Sequence, residues 1–596
     1  MLNASSQPCP FIPSSSAEEV TYYTIASSMG LIGLCPLQGL ARNLGVIDIK
    51  ETTETIGLLL FAVLWALWRL LRRYLAKTDL DNLPGPESAS FVTGNIVQLF
   101  NFDAWDFHNQ IVEQFGRVIR IYGAFGSQHL YIFDPKAMHH IVVKDQDIYE
   151  ETSEFLSMNS LSLGDGLLST LGERHRRQRK MLNPVFSIAH MRHMLPVFHD
   201  VAKKLETAIR LSVINGAHEV DILRWMTRAA LEMIGQSGLG HSFDPLVEGV
   251  EPHPYSRAVK DLVPLSFSMR FLRMYLLPTL SKIGPPWFRR LVINLMPWKK
   301  IRRLRDVINL MDQTTVRIFE EKRKALEAGD EALSKQVHEA KDIMSILMKA
   351  NLAATEGDQL PDKEVLGQMS TFIFAATDTT SNALSRILYL LAKHPEVQDR
   401  LRAEVTTSRR THGDIPYDEL VALPFMDAIC RETLRLFPPV PTVTRVTRRD
   451  VVLPLSTPFK GLDGREMQSL LIPNDTKVFI SILNANRDPT LWGPDASEWK
   501  PECWLSPLPE ALRDAHIPGI YSHLMTFLGG GQACIGFKFS QLEMKVVLST
   551  LVSQFRFSPS DKDIFWQMSG IVTPTVKGSS LLTQLPLKVE LAGTAA

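Results

Sequence analysis

Apolar residues are unevenly distributed along the chain, and the longest unbroken run lies near its beginning. Residues 56–68 read IGLLLFAVLWALW, and Arg69, Arg72, Arg73 and Lys77 follow closely. A membrane span needs about 20 apolar residues, a length that this run reaches only if Arg69 extends its charge to the bilayer surface. We therefore predict a membrane anchor helix over residues 56–77, with a buried amphipathic helix as the alternative.

The basic cluster after this run predicts the orientation of the chain. By the positive-inside rule, the cluster and the sequence that follows it lie in the cytosol. A second, weaker apolar patch, residues 25–40, is interrupted by glycines and a proline. If this patch does not span the membrane, Asn3 in Asn-Ala-Ser is lumenal and can be glycosylated; if it does, Asn3 is cytosolic.

The remaining sequence has a helical hydrophobic period over most of its length. It begins after Leu83-Pro84-Gly85-Pro86, a stiff connector in which the prolines prevent a helix. We predict helices over residues 104–115, 188–215, 222–240, 304–328, 363–393, 395–407 and 417–436, and strands over 118–122, 129–133, 477–482 and 587–591. The predicted organisation is an N-terminal extension (1–55), the anchor (56–77), a proline-rich hinge (78–90) and one mainly α-helical domain with small β-sheets (91–596).

One further segment, residues 267–298, combines apolar and aromatic side chains with scattered Arg and Lys. Such a composition is typical of a region that dips into a membrane surface. Packing in a protein core explains the same composition equally well, and the sequence leaves both interpretations open.

Composition limits the partners and sites to be considered. Apolar residues make up 45% and charged residues 21%, as in ordinary globular proteins. Lys+Arg and Asp+Glu both number 64, so no overall basic field points to nucleic acid. The five cysteines are too few and too scattered for a disulfide framework, and none has zinc-site spacing.

The segment 527–536 carries the most informative chemistry. Three successive glycines precede Cys534 and allow the close approach of a flat ligand. A helix is predicted over residues 537–553, so free amides and the helix dipole favour a thiolate at Cys534. The segment resembles the cysteine loop of the cytochrome P-450 family, Phe-x-x-Gly-x-Arg/His-x-Cys-x-Gly. The matching positions are Phe527, Gly530, Cys534 and Gly536, with Gln532 in place of the basic residue.

The resemblance implies a haem site at this loop. Cys534 is then the thiolate ligand of the iron of haem b (iron protoporphyrin IX), a ligand that favours O–O cleavage. Phe527 is expected to cover the ligand face. Gln532 is expected to donate a hydrogen bond to a haem propionate without supplying a charge.

The predicted helix 363–393 contains the sequence Phe-Ala-Ala-Thr-Asp-Thr-Thr. Alone, an acid followed by two threonines within a helix indicates local capping or back-bonding. The stretch resembles the family's oxygen-activating motif, Ala/Gly-Gly-x-Asp/Glu-Thr-Thr/Ser, with Ala376 where glycine is common. The resemblance implies that Ala375 and Ala376 leave room for dioxygen, and that Asp378 and Thr379 relay protons.

Glu432 and Arg435 are spaced i, i+3 on a predicted helix and match the family's Glu-x-x-Arg motif. In isolation, this spacing most often indicates a surface ion pair. In the family, the pair locks the core together with the arginine of a Pro-Glu-Arg-Phe-like segment. Here Cys503 occupies the arginine position, so we expect water or another side chain to complete the hydrogen bonding.

Haem propionates require cations or hydrogen-bond donors. Arg445 resembles the family's propionate-binding arginine, and His175 and Arg179 match a Trp/His-x-x-x-Arg helix motif on one helix face. A plain charged surface explains that helix equally well. The other cations there are expected to be solvated or to dock an acidic electron donor: Arg176, Arg177 and Lys180.

Together the motifs imply a haem-dependent monooxygenase of the eukaryotic microsomal type, with a fungal pattern in residues 172–187. It is expected to be a single-pass protein of the endoplasmic reticulum with a cytosolic catalytic domain. It is expected to insert one oxygen atom from O2 into an apolar small molecule, and the fungal resemblance implies a secondary metabolite. No GxGxxG lies in a βαβ context, so electrons are expected from NADPH through a separate NADPH–cytochrome P-450 reductase.

Two alternatives stay open from the sequence. Cys503 and Gln532 are departures that fit a degenerate haem-binding protein with impaired catalysis. The fold also serves oxygen-independent isomerases and dehydratases, although the Asp378–Thr379 pair argues against that class.

Overall fold

The computed structural model describes residues 77–328, 342–355, 357–579 and 582–593, together with Gly57, Leu60, Phe61, Leu64, Trp65 and Trp68. The chain divides into two units, Met1–Lys77 and Thr78–Ala596. The predicted N-terminal extension and most of the predicted anchor lie outside the described residues. No helix in the described part of the chain is both long and apolar enough to cross a membrane.

The second unit is mainly helical because its apolar residues recur every three to four positions. Its helices of ten or more described residues are α1 (Trp105–Phe115), α2 (Ser153–Leu163), α3 (Gly172–Leu182), α4 (Ile188–Ile214), α5 (Ile222–Met233), α6 (Pro254–Ser268), α7 (Pro286–Leu295), α8 (Lys299–Glu327), α9 (Ile343–Ala353), α10 (Asp362–Lys393), α11 (Pro395–His412), α12 (Pro424–Leu436) and α13 (Phe537–Gln554). Shorter helices cover Ile96–Leu99, Pro135–His139, Leu277–Leu280, Tyr417–Ala422, Ile482–Ala485, Pro489–Trp492 and Glu510–Asp514.

Small sheets flank the helices. The strands are β1 (Val118–Tyr122), β2 (Gln128–Ile132), β3 (Tyr149–Glu151), β4 (Glu219–Asp221), β5 (Thr442–Thr447), β6 (Val451–Lys460), β7 (Glu466–Ile472), β8 (Lys477–Ser481), β9 (Phe555–Pro559), β10 (Ile564–Met568), β11 (Val572–Val576) and β12 (Pro586–Leu591). One sheet has the order β1-β2-β8-β5-β3 and another β4-β12-β9, while β6-β7 and β10-β11 are two-stranded. The antiparallel β3–β5 pair sets Glu151 opposite Arg445.

Two hydrophobic cores hold this unit together. The larger is helical and buries Leu384 and Ile387 of α10 with Val546 and Leu548 of α13. The smaller lies between the sheet that contains β1 and the helices beside it. Because α10 is buried along most of its length and packs against α13, it is held firmly next to the segment that contains Cys534.

The predicted mainly α-helical fold with small sheets is confirmed, and most predicted elements lie within a few residues of the observed ones. The continuous helix predicted over residues 417–436 is wrong: it is interrupted at Leu423, because Pro424 disfavours helical backbone in the residue before it. The helix predicted over residues 222–240 has an α-helical part that ends at Met233. A π-helical turn, Ile234–Leu239, then leads to Gly240, whose φ of +62° closes the element.

The proline-rich connector packs against the sheet. Leu83 is fully buried, and the carbonyl of Pro84 accepts the backbone N–H of Arg120 in β1 at 2.9 Å. A Cβ on Gly85 would lie 2.1 Å from the Arg120 carbonyl oxygen, so only glycine allows this approach. The connector is therefore an integral part of the second unit.

Candidate active site at the cysteine loop

A cavity of about 230 Å³ lies between the cysteine loop and α10. Helix α10 contributes small and hydroxylated side chains, and the loop contributes Cys534 opposite them. Apolar side chains close much of the remaining wall. The lining side chains include Phe155, Leu167, Leu168, His175, Arg179, Phe186, Ile234, Phe372, Ala375, Ala376, Thr379, Phe527, Gln532, Ile535, Gly536 and Phe539.

The backbone of the cysteine loop is held by hydrogen bonds and by a position that requires glycine. The Cys534 N–H donates to the Phe527 carbonyl at 2.9 Å, and the Gly531 N–H donates to Oε1 of Gln146 at 2.8 Å. Gly530 has a φ of +69°, and a Cβ there would lie 1.8 Å from the Val142 carbonyl oxygen. Gly530 thus shapes the loop without lining the cavity.

The Cys534 side chain is exposed by area and lines the cavity. Burial raises the pKa of the Cys534 thiol, while a hydrogen bond from the Gly536 N–H and the nearby Arg179 oppose this rise. Arg179 is held in place by donating to the Ala533 carbonyl at 2.5 Å. A metal ion bound to sulfur removes the thiol proton outright, so the site suits a metal-bound thiolate.

On the opposite wall, the structure separates the two predicted proton-relay residues. Thr379 lines the cavity, and its hydroxyl donates to the Ala375 carbonyl at 2.7 Å. Asp378 is buried outside the cavity lining, where its Oδ1 accepts from Nζ of Lys260 at 2.7 Å and from Nδ2 of Asn382 at 3.2 Å. Sequence reasoning missed Lys260, because nothing in the pattern of α6 relates it to α10.

The predicted propionate-binding residues are only partly brought together. His175, Arg179 and Gln532 line the cavity and also a second one of about 410 Å³ beside it. Burial, with Arg179 and Arg176 nearby, lowers the pKa of His175 to about 4, so this imidazole is neutral at pH 7. Arg445 is absent from the lining of both cavities.

The Arg445 guanidinium instead pairs with a carboxylate that does line the cavity. Nη1 of Arg445 lies 2.9 Å from Oε1 of Glu151, its register partner across β3 and β5. Burial raises the pKa of Glu151, and Arg445 opposes the rise. Glu151 carried no recognisable signal in the sequence, because only the pairing of distant strands brings it here.

The Glu432–Arg435 pair is buried and forms two hydrogen bonds, Arg435 Nε to Glu432 Oε2 at 2.8 Å and Nη2 to Oε1 at 2.9 Å. Cys503, at the position where the family has arginine, is exposed. Its neighbour Trp504 donates from Nε1 to Glu432 Oε2 at 2.9 Å. The Trp504 indole is therefore the side chain that completes the hydrogen bonding of Glu432 in the absence of an arginine at position 503.

Comparison with known proteins identifies the family. The family model described as Cytochrome P450 matches residues 84–582, most of the chain. The chain belongs to the cytochrome P450 family. It is 52% identical over 532 residues to cytochrome P450 monooxygenase 91 of Postia placenta, covering 89% of this chain and 98% of that relative. It is 45% identical over 528 residues to the ganoderic acid synthetase of Ganoderma lucidum, covering 88% and 96%.

These relatives show that the chain is a cytochrome P450 monooxygenase of the fungal kind, and the family implies a haem cofactor. The residues of the site fit that group. A single thiol faces a mainly apolar cavity, small alanines stand on the opposite wall, and hydrogen-bond donors lie at one edge. Such a set would offer a soft thiolate ligand, apolar walls for the macrocycle and partners for its propionates.

Proposed function

We propose that this cytochrome P450 inserts one atom of O2 into an apolar small molecule of secondary metabolism, with haem b held by Cys534. The observation that carries the proposal is the cavity in which the exposed Cys534 thiol faces Ala375 and Thr379. Haem, when bound, supplies the oxygen-activating chemistry, and a thiolate ligand favours O–O cleavage. The apolar walls favour an apolar substrate, and the similarity to a ganoderic acid synthetase supports secondary metabolism.

The chain's own residues have distinct roles in this proposal. Thr379 presents the hydroxyl that moves protons within the cavity, and Asp378 resupplies it when the Lys260 ion pair opens. His175, Arg179 and Gln532 hold the propionates. Arg445 supports that edge of the cavity through Glu151.

We further propose that the protein resides on the endoplasmic reticulum membrane. The described anchor positions are helical, and their apolar side chains, Leu60, Phe61, Leu64, Trp65 and Trp68, are each more than half exposed. In the other unit, α7 exposes Trp287 (68%), Leu291 (47%) and Leu295 (75%), which share one helix face. Between Asp261 and Asp306 the sequence has ten Lys or Arg and no acidic residue. This exposure favours the membrane-surface interpretation of residues 267–298 over core packing.

Electrons are proposed to come from NADPH through cytochrome P450 reductase. Arg176 and Lys180 line the second cavity beside the cysteine loop and are more than half exposed by side-chain area. Their surface pairs with acidic residues are weak, so they can exchange those partners for acidic groups of a docking protein.

The proposal is tested by reconstituting the full-length chain with the reductase, NADPH and a panel of apolar terpenoids under ¹⁸O2. We expect one ¹⁸O atom in the product and none from H2¹⁸O. A product that forms without O2, or that carries oxygen only from water, would support the oxygen-independent alternative instead. The Cys534→Ala variant, which lacks the ligand, serves as the control.

A further inference from the structure

We propose that Trp504 is a positioning residue for the cysteine loop, replacing the arginine that the family motif has at position 503. The inference rests on the proposed function insofar as Cys534 is taken to hold haem. The Trp504 indole completes the hydrogen bonding of Glu432, and the Glu432–Arg435 pair in turn holds the segments on which the cysteine loop rests.

The carboxylate of Glu432 is fully satisfied. Oε2 accepts from Trp504 Nε1 and Arg435 Nε, and Oε1 accepts from Arg435 Nη2 and from the Lys500 N–H at 2.9 Å. A carboxylate offers about four acceptor positions. No position is left for a further donor, so the arginine missing at position 503 leaves no gap.

The Trp504 ring is itself held in place. Its centroid lies 5.6 Å from the centroid of the Trp492 ring. The guanidinium carbon of Arg431 also lies 5.6 Å from the centroid of the Trp504 ring. Burial raises the pKa of the neighbouring Cys503 thiol, and the nearness of Glu432 raises it further. Position 503 is thus close enough to Glu432 for a longer cationic side chain to reach it.

From Arg435 the contacts continue to the segment before the cysteine loop. Arg435 Nη1 donates to the Asn486 carbonyl at 3.0 Å. The Asn486 side chain accepts from the Met525 N–H and donates to the Thr526 hydroxyl, both at 2.8 Å. The Thr526 hydroxyl donates to the Leu434 carbonyl at 2.8 Å.

The next residue along the chain closes the connection. Phe527 follows Thr526, and its carbonyl accepts the N–H of Cys534. Displacement of Glu432 or Arg435 therefore moves Asn486, the Thr526 segment and, with them, the backbone that sets the direction of the Cys534 sulfur. A change at Trp504 should consequently alter the iron–thiolate signal itself as well as stability.

The test uses full-length Trp504→Phe, which keeps the ring but removes the N–H that Glu432 accepts. Trp499→Phe is the matched control, since the Trp499 indole donates to the Thr433 hydroxyl at 3.0 Å and makes no bond to Glu432. Two quantities are measured: the share of red-shifted Soret band in the carbon monoxide difference spectrum, and the rate of haem transfer to apomyoglobin. We expect Trp504→Phe to lose the red-shifted band and release haem about ten-fold faster, while Trp499→Phe resembles the parent.

Arginine at position 503 provides the rescue. In the Trp504→Phe background, Cys503→Arg should restore the red-shifted band by giving Glu432 back a donor. In the parent chain, Cys503→Arg should leave haem release unchanged, because Glu432 is already saturated. This second variant keeps the proposal testable even where Trp504→Phe does not fold.

Three results would overturn the role of Trp504: equal behaviour of Trp504→Phe and Trp499→Phe, no rescue by Cys503→Arg, or markedly slower haem release when Cys503→Arg is made in the parent chain. Each is read against a parent chain that shows the red-shifted band. A parent chain without that band contradicts the proposed function itself.

Discussion

The two walls of the cavity differ in how completely their polar groups are satisfied. Behind the cysteine loop, the buried Glu432 carboxylate accepts four hydrogen bonds, and Arg435 donates to three backbone carbonyls as well. On α10, the buried hydroxyls of Thr377 and Ser385 and Oδ1 of Asn382 have no hydrogen-bond partner among the described residues. The Glu432–Arg435 pair with its hydrogen-bond partners, which we call the saturated wall, is therefore fully bonded, whereas α10 retains spare hydrogen-bonding capacity.

This difference matches what each wall has to do in the proposed function. A metal ligand must keep one direction, so its supports are best saturated. Groups that move protons must change partners, which an incompletely bonded helix such as α10 allows. The buried Asp378–Lys260 pair involves the same stretch of α10 as these unbonded groups.

The largest effect is expected from breaking the saturated wall at its centre. Glu432→Ala removes the carboxylate and leaves the buried Arg435 without its ion partner, which costs about 3–5 kcal/mol. We expect the free energy of unfolding in urea to fall by this amount and the haem to be lost. A variant that keeps haem and unfolds like the parent would show that the wall does not depend on this pair.

The second-largest effect is expected at low pH, where protonation of His108 should destabilise the saturated wall. Its Nδ1 lies 2.8 Å from the hydroxyl of Tyr131, which also bonds to Ser481 and Asn484. Asn484 lies two residues before Asn486, whose carbonyl accepts from Arg435. Burial lowers the pKa of His108 to about 4, against a hydrogen bond with Leu99 that raises it. Because the unfolded pKa is about 6.5, protonation favours unfolding, so stability is full above pH 6.5 and falls between pH 6.5 and 4.

The size of this loss follows from the shift in pKa and amounts to about 3 kcal/mol for His108. The measurement compares unfolding of the parent with that of His108→Gln at pH 7 and pH 4.5. The variant should show a smaller difference between the two pH values. An equal pH dependence in both chains would remove His108 from this role.

On the α10 wall, Thr379→Ala should change catalysis without changing the fold. The variant removes the cavity hydroxyl but no contact behind the cysteine loop, so haem binding and the unfolding curve should match the parent. Product formed per NADPH should fall about ten-fold or more, with peroxide released instead. Thr379→Ser should retain most of the coupling. Unchanged coupling with little peroxide would contradict the proton-relay role.

The smallest effect is expected from an exposed ion pair that lies outside the buried hydrogen bonds of the saturated wall. Glu502, next to Cys503, forms an exposed ion pair with Arg400 at 3.4 Å. Exposed pairs contribute little, so Glu502→Gln should change the unfolding free energy by less than about 1 kcal/mol. Its haem release should equal that of the parent. A fall in the unfolding free energy as large as that of Glu432→Ala would show that Glu502 contributes to the saturated wall.

Sequence motifs pointed to those parts of the candidate site whose residues are close together in the chain. Cys534 and Gly536 of the loop and Ala375, Ala376 and Thr379 of α10 are recognisable from short motifs, and the structure places all of them around one cavity. Most helix ends were close for the same reason, since they follow from periodicity, proline and glycine. The membrane anchor stays a prediction.

The long-range partners could not be read from the sequence. Lys260, Glu151 and Trp504 reach Asp378, Arg445 and Glu432 through the packing of separate elements, and no spacing encodes such contacts. The β6–β7 hairpin was missed because its polar and apolar residues do not alternate cleanly along β6. Motif recognition therefore located the candidate site, but the interaction partners of its residues could be identified only from the three-dimensional fold.

The most direct test of the Cys534 assignment is the carbon monoxide difference spectrum of the reduced full-length chain in membranes, beside Cys534→Ala. We expect a strongly red-shifted Soret band in the parent chain and its loss in the variant, because only a thiolate ligand produces that band. A parent chain that shows only the shorter-wavelength band, or the same spectrum for both chains, would contradict the assignment of Cys534 as the haem ligand.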